Sequence, residues 1–69
     1  MKEELKNLGF VKASKNHNYE LRIQSDMRPF IIKVNFMNIV WLERYSEAIQ
    51  MFPYNYERMK SLIKLLQND

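Results

Sequence analysis

The sequence predicts a small α+β domain: a short N-terminal helix, a four-stranded antiparallel sheet built as two hairpins, and a C-terminal amphipathic helix packed on one face. Three observations carry this expectation. In residues 30–45, FIIKVNFMNIVWLERY, the positions Phe30, Ile32, Val34 and Phe36 alternate with Ile31, Lys33 and Asn35, and a period of two is the pattern of a strand with one buried face. Tyr19, Leu21 and Ile23 alternate in the same way with Glu20, Arg22 and Gln24. Near the C-terminus Tyr56, Met59, Leu62, Ile63 and Leu66 recur at the spacing of one helical face.

Taken in order, residues 1–8 suit a short helix, with Glu3 and Glu4 in the first turn, where the helix dipole favours negative charge, and Leu5 and Leu8 on one face. Gly9 is the only glycine of the chain. Placed after a helical pattern and before Phe10, it fits the left-handed position of a Schellman closure, in which Phe10 folds back on Leu5. Residues 10–15 then suit a short strand, the polar residues Asn16, His17 and Asn18 a turn, and residues 19–24 the second strand of a first hairpin. Asp26 and Pro29 punctuate the next connection, since Asp makes local side-chain turns and Pro biases its predecessor toward extended geometry.

The second hairpin follows, and its register is open. A two-residue loop of Met37 and Asn38 sets Phe36 opposite Ile39 and puts Trp41 inside; a three-residue loop sets Phe36 opposite Val40 and puts Leu42 inside. The two-residue loop is favoured because it buries the tryptophan. In that reading the outer face carries Ile31, Val40 and Leu42 beside Lys33 and Arg44. Residues 46–54, SEAIQMFPY, suit a short fifth strand, a turn of helix or an ordered loop, and are read as a loop with some strand character, after which Asn55 suits the N-cap of the last helix.

A chain of 69 residues makes one domain, at a size where a lone core supplies only about 3–5 kcal/mol of net stability. There is no cysteine, hence no disulfide and no thiolate metal site, and one histidine cannot build a metal centre without carboxylate help. Neither a cofactor nor a metal is expected. Stability must then come from the core, which 46% hydrophobic and 13% aromatic content can supply, or from a partner, including a second copy as a homodimer. The absence of cysteine and of an apolar run in MKEELKN agrees with a cytoplasmic protein that does not insert in a membrane. Eleven basic and eight acidic residues mix along the chain, and a net charge of +3 is small for a nucleic-acid surface. Lys12, Lys15, Arg22, Arg28 and Lys33 are nonetheless candidates for one basic side of the sheet, with tyrosines as stacking platforms for bases.

No glycine-rich phosphate loop, nucleophile elbow or metal-ligand cluster is present, and Glu43 and Glu47 have no recognisable partner. His17 is the one side chain with an ordinary pKa near neutrality, set in a turn among Lys15, Asn16 and Asn18, a position from which a base acts on phosphodiesters. A helix, then LGF at residues 8–10, a strand, a His-bearing turn and a second strand resemble the HicA toxins, small double-stranded-RNA-binding-like ribonucleases of toxin and antitoxin pairs. The resemblance covers about residues 3–24 and implies His17 as catalytic base; where HicA sequences carry Gly-Ser before the histidine, Lys15 and Asn16 stand here.

The stronger expectation is a non-enzymatic protein-binding module. Tyr45, Met51, Phe52, Tyr54 and Tyr56 form an aromatic segment of the kind enriched at interface cores, and Ile31, Lys33 and Arg44 extend it over the outer face of the sheet. Small size, the lack of catalytic motifs and an Asn-, Lys- and Ile-rich composition typical of AT-rich genomes resemble small phage or mobile-element proteins that inhibit host defence or metabolism, anti-CRISPR proteins among them.

Overall fold

The computed structural model describes residues 2–13, 18–24 and 29–67. Within them the chain runs α1 (Lys2–Asn7), β1 (Val11–Lys12), β2 (Tyr19–Ile23), β3 (Phe30–Val34), β4 (Ile39–Arg44), β5 (Glu47–Pro53) and α2 (Tyr56–Gln67). The strands form one antiparallel meander in the order β1-β2-β3-β4-β5, each paired with its neighbour in sequence. The α+β class, the N-terminal helix and the closing helix agree with the sequence reading. The strand count is corrected from four to five, because residues 47–53 are a strand and not a loop.

Side-chain parity sorts the sheet into two faces. Ile23, Phe30, Ile32, Val34, Val40, Leu42 and Phe52 lie on one face and join Leu5 and Phe10 from the N-terminal segment and Met59 and Ile63 from α2 in a single buried cluster. Both helices therefore contribute to the same inner face. Leu62 and Leu66 add half-buried flanks to α2, as the period of 3.6 requires.

Local chemistry explains how the elements start and stop. At the end of α1 the Gly9 amide donates to the Lys6 carbonyl at 3.0 Å and the Phe10 amide to the Leu5 carbonyl at 2.9 Å, the paired bonds of a Schellman motif, with Gly9 at φ 98°. Leu5 and Phe10, the two residues this closure brings together, are both in the core. At the start of α2 the Asn55 side-chain oxygen accepts from the Arg58 amide at 2.9 Å and its carbonyl accepts from Met59, so Asn55 is the N-cap.

The central hairpin corrects both registers read from the sequence, since Phe36 lies in the loop opposite neither Ile39 nor Val40. Val34 pairs with Val40 and Ile32 with Leu42, and the loop consists of three residues, Phe36, Met37 and Asn38. Two devices hold it. The Asn35 side-chain oxygen accepts from the amides of Met37 and Ile39, at 2.9 and 3.0 Å, and Asn38 takes the left-handed conformation at φ 62°, as the third residue of such loops does. Val40 and Leu42 consequently face inward, Trp41 faces outward, and Phe36 is 71% exposed at the tip. The hydrogen bonds of the Asn35 side chain and the left-handed conformation of Asn38 fix the loop, and the tryptophan ring is left outside the core.

Candidate interaction surface

The outer face of the sheet is covered by neither helix. Register sets Val11, Glu20, Lys33, Trp41 and Met51 in one row across all five strands, and Arg22, Ile31, Glu43 and Ala48 in the next. Ile39 and Pro53 pair beside the first row. An antiparallel sheet with one solvated face ordinarily places polar side chains there. Here Ile31, Ile39, Trp41, Met51 and Pro53 share it with the charged Glu20, Arg22, Lys33 and Glu43, with Val11 exposed at the far strand.

A small polar network ties the middle of this face. The Trp41 indole N–H donates to Glu43 Oε1 at 3.1 Å, and Lys33 Nζ lies 3.0 Å from Glu43 Oε2. Both members of the ion pair are only partly exposed, so the charges largely cancel and the tryptophan ring is held against the sheet. The centre of the face is therefore rigid and close to neutral.

Toward the β4–β5 end the character changes. Between Leu42 and Glu43 the pairing with β5 slips by one residue, and Ile49 is the extra residue of the bulge, 57% exposed. The connecting turn holds Tyr45 at φ 56° and Ser46 at φ 64°, the pair of left-handed residues that a two-residue type I′ hairpin demands. Neither is a glycine or asparagine, so this turn stores backbone strain. Beside it a cavity of about 270 Å³ is lined by Arg22, Pro29, Ile31, Tyr45 and Ser46.

The structure divides the residues singled out from the sequence. Ile31, Lys33 and Met51 share the outer face, with Tyr45 at its edge. Phe52 belongs to the core at 4% exposure, beneath the Arg58 guanidinium 4.0 Å from its ring centroid, and is no surface residue. Arg44 lies on the inner parity and stacks over Phe30 at 4.2 Å, so it too is removed from the outer face. The Tyr54 hydroxyl donates to Glu4 Oε1 at 2.9 Å and so ties the loop before α2 to α1. Its burial, and then the neighbouring Glu4 carboxylate, push the phenol pKa up to about 12. Tyr56 is half-buried, with Lys60 4.8 Å from its ring centroid.

Sequence reasoning missed Trp41, Ile39, Ile49 and the exposed tip residues Phe36 and Met37. The signal for most of them was the asparagine on each side of the tip, which argues for a three-residue loop and so turns Trp41 outward. Among the described residues of the basic stripe, Lys12 pairs opposite Tyr19 on the other side of the sheet from Arg22 and Lys33, and Lys33 is held by Glu43. Lys15, His17, Asp26 and Arg28 lie outside the described residues. Among the described residues there is no group of three or more side chains able to hold a metal ion, and no helix is long and apolar enough to cross a membrane. Comparison with known proteins finds no matching family model, no matching curated protein and no matching solved structure.

Proposed function

We propose that the chain is a small, non-enzymatic protein-binding module of the cytoplasm, an inhibitor of a host or defence protein in the manner of phage and mobile-element proteins such as anti-CRISPR proteins, and that it docks through the outer face of its sheet. The observation that carries the reading is the adjacent pairs Trp41–Met51 and Ile39–Pro53, with Ile31 on the same face, which neither helix covers. Met51 is 65% exposed, and tryptophan and methionine are residue types enriched at interface cores, tryptophan because it buries a large area for little lost conformational freedom and methionine because its flexible thioether adapts to irregular surfaces. The Lys33–Glu43–Trp41 network supports the same reading, since at the centre of the face one pair of charges is already matched and the largest ring is already fixed, which lowers the cost of ordering there. The surface proposed is thus Ile31, Lys33, Ile39, Trp41, Ile49 and Met51 with Tyr45 at its border.

The test is site-specific photocrosslinking in the native host. A photoreactive residue at Met51 is expected to capture one discrete protein, and the same residue at Leu65, exposed on α2, is expected to capture none. Capture lost on Trp41→Glu in a variant that still folds supports the outer face. Equal capture from both positions, or none from Met51, refutes it.

A further inference from the structure

We propose that the cavity between β2, β3 and the β4–β5 turn is a specificity pocket for one carboxylate side chain, an Asp or Glu on an extended segment of the protein partner, flanked by an apolar residue that lies on Ile31 and Trp41. This rests on the docking face described above and names what that face selects. Charge is the first argument. Among the described lining residues, Arg22, Pro29, Ile31, Tyr45 and Ser46, the one ionised group is the Arg22 guanidinium, and none is acidic. Among the described residues Arg22 has no ion-pair partner: Glu43, on the same row two strands away, is engaged by Lys33 and Trp41. A planar fork of N–H donors, in a lining that carries no acid among the described residues, is complementary to a carboxylate.

Shape is the second argument. A hollow of about 270 Å³ falls below the ~300–1,000 Å³ of sites that enclose whole small molecules, yet it has room for a single side chain. Pro29 and Ile31 give it an apolar wall for the methylene of the entering residue, and Ser46 adds a hydroxyl donor beside Arg22. The third argument is the turn itself. Tyr45 and Ser46 are both held at positive φ, where Asn-Gly would sit without strain, and both line the hollow. Strained residues of this kind cluster where the geometry serves a ligand. Continuity completes the case, because Ile31 belongs at once to the cavity and to the apolar face.

A randomised linear-peptide display library, panned against the full chain, tests the assignment. Enriched peptides are expected to share an Asp or Glu beside an apolar or aromatic residue. The best of them, made synthetically and titrated into labelled protein, is expected to shift the Tyr45 and Ser46 amides and to bind about tenfold more weakly to Arg22→Gln, the loss of one charge-assisted pair. Lys64→Gln on α2, which removes the same charge elsewhere, is expected to leave affinity within about twofold, because screened charges that far apart interact weakly. Changing the peptide carboxylate to its amide is expected to weaken binding to the wild type as much as Arg22→Gln does, and to have no further effect on that variant. Equal losses in Arg22→Gln and Lys64→Gln overturn the pocket in favour of general attraction to a basic chain. Enriched peptides without an acidic residue overturn the pocket while leaving crosslinking from Met51 intact, so the docking face survives. No enriched peptide also overturns it, and free glutarate that reproduces the shifts at the affinity of the peptide assigns the hollow to a small carboxylate instead.

Discussion

Met51 and Phe52 are consecutive in β5, and the register sends them to opposite faces, so they offer a sharp test of the two-faced sheet. Phe52→Ala removes a ring that is 4% exposed and sits between Val40 and the Arg58 guanidinium. Truncating a buried phenylalanine costs about 3–5 kcal/mol, from lost transfer energy and the cavity left behind. A lone core of this size supplies only about 3–5 kcal/mol in total, so the variant is expected to be largely unfolded without denaturant. Phe52→Leu keeps most of the volume but forfeits the cation–π contact, for a cost of about 1–2 kcal/mol. Met51→Ala, at a position 65% exposed, is expected to shift stability by no more than about 0.5 kcal/mol. Urea unfolding followed by far-ultraviolet circular dichroism measures all three, with an unchanged m-value showing that native and denatured compactness are retained. A Phe52→Ala midpoint equal to that of the wild type, or a Met51→Ala loss as large as that of Phe52→Ala, refutes the assignment of β5 and with it the outer face.

The other expectations are local. Gly9→Ala is expected to cost about 1–2 kcal/mol purely through φ, because an added Cβ would meet Leu21 at an ordinary 3.5 Å; Gly9→Val should cost more, and a Gly9→Ala urea midpoint equal to that of the wild type would remove the strain argument. Replacing Tyr45 by Asn together with Ser46 by Gly is expected to stabilise the fold by about 1–2 kcal/mol while weakening partner binding, read by thermal unfolding and by the crosslinking assay. Tyr54 retains its proton in the fold to a higher pH than in the unfolded chain, so its contribution is complete below the unfolded value near 10 and is lost as pH rises toward about 12. The stability gap between the wild type and Tyr54→Phe should therefore narrow between about pH 10 and 12, and a gap that is constant or widens over that window contradicts the Glu4 hydrogen bond.

The period of two in Tyr19–Ile23 and Phe30–Val34, the period of 3.6 in α2, the lone Gly9 and the cap at Asn55 each express a local rule, a preference written within a few consecutive residues. That is why the class, both helices and the inner face of β2 and β3 were legible from the amino-acid order alone. Strand β5 was not, because an edge strand that buries only Phe52, carries a bulge at Ile49 and ends on Pro53 shows no alternation to read. Its turn gave no warning either, since Tyr45 and Ser46 are not the residues that announce a type I′ hairpin. The candidate site depended on both. Whether Trp41 points in or out differs by one residue of loop, a choice made by the hydrogen bonds of Asn35 and the left-handed Asn38 and not by the hydrophobicity of the strand. Arg22, Ile31 and Ser46 come from three separate stretches of chain and meet only when the meander is complete. The sequence by itself determined the buried faces of β2, β3 and α2, because periodicity is local; the tertiary structure decided the buried face of β4 and which apolar residues remained outside, because that depends on register between strands and on the single face two short helices can cover.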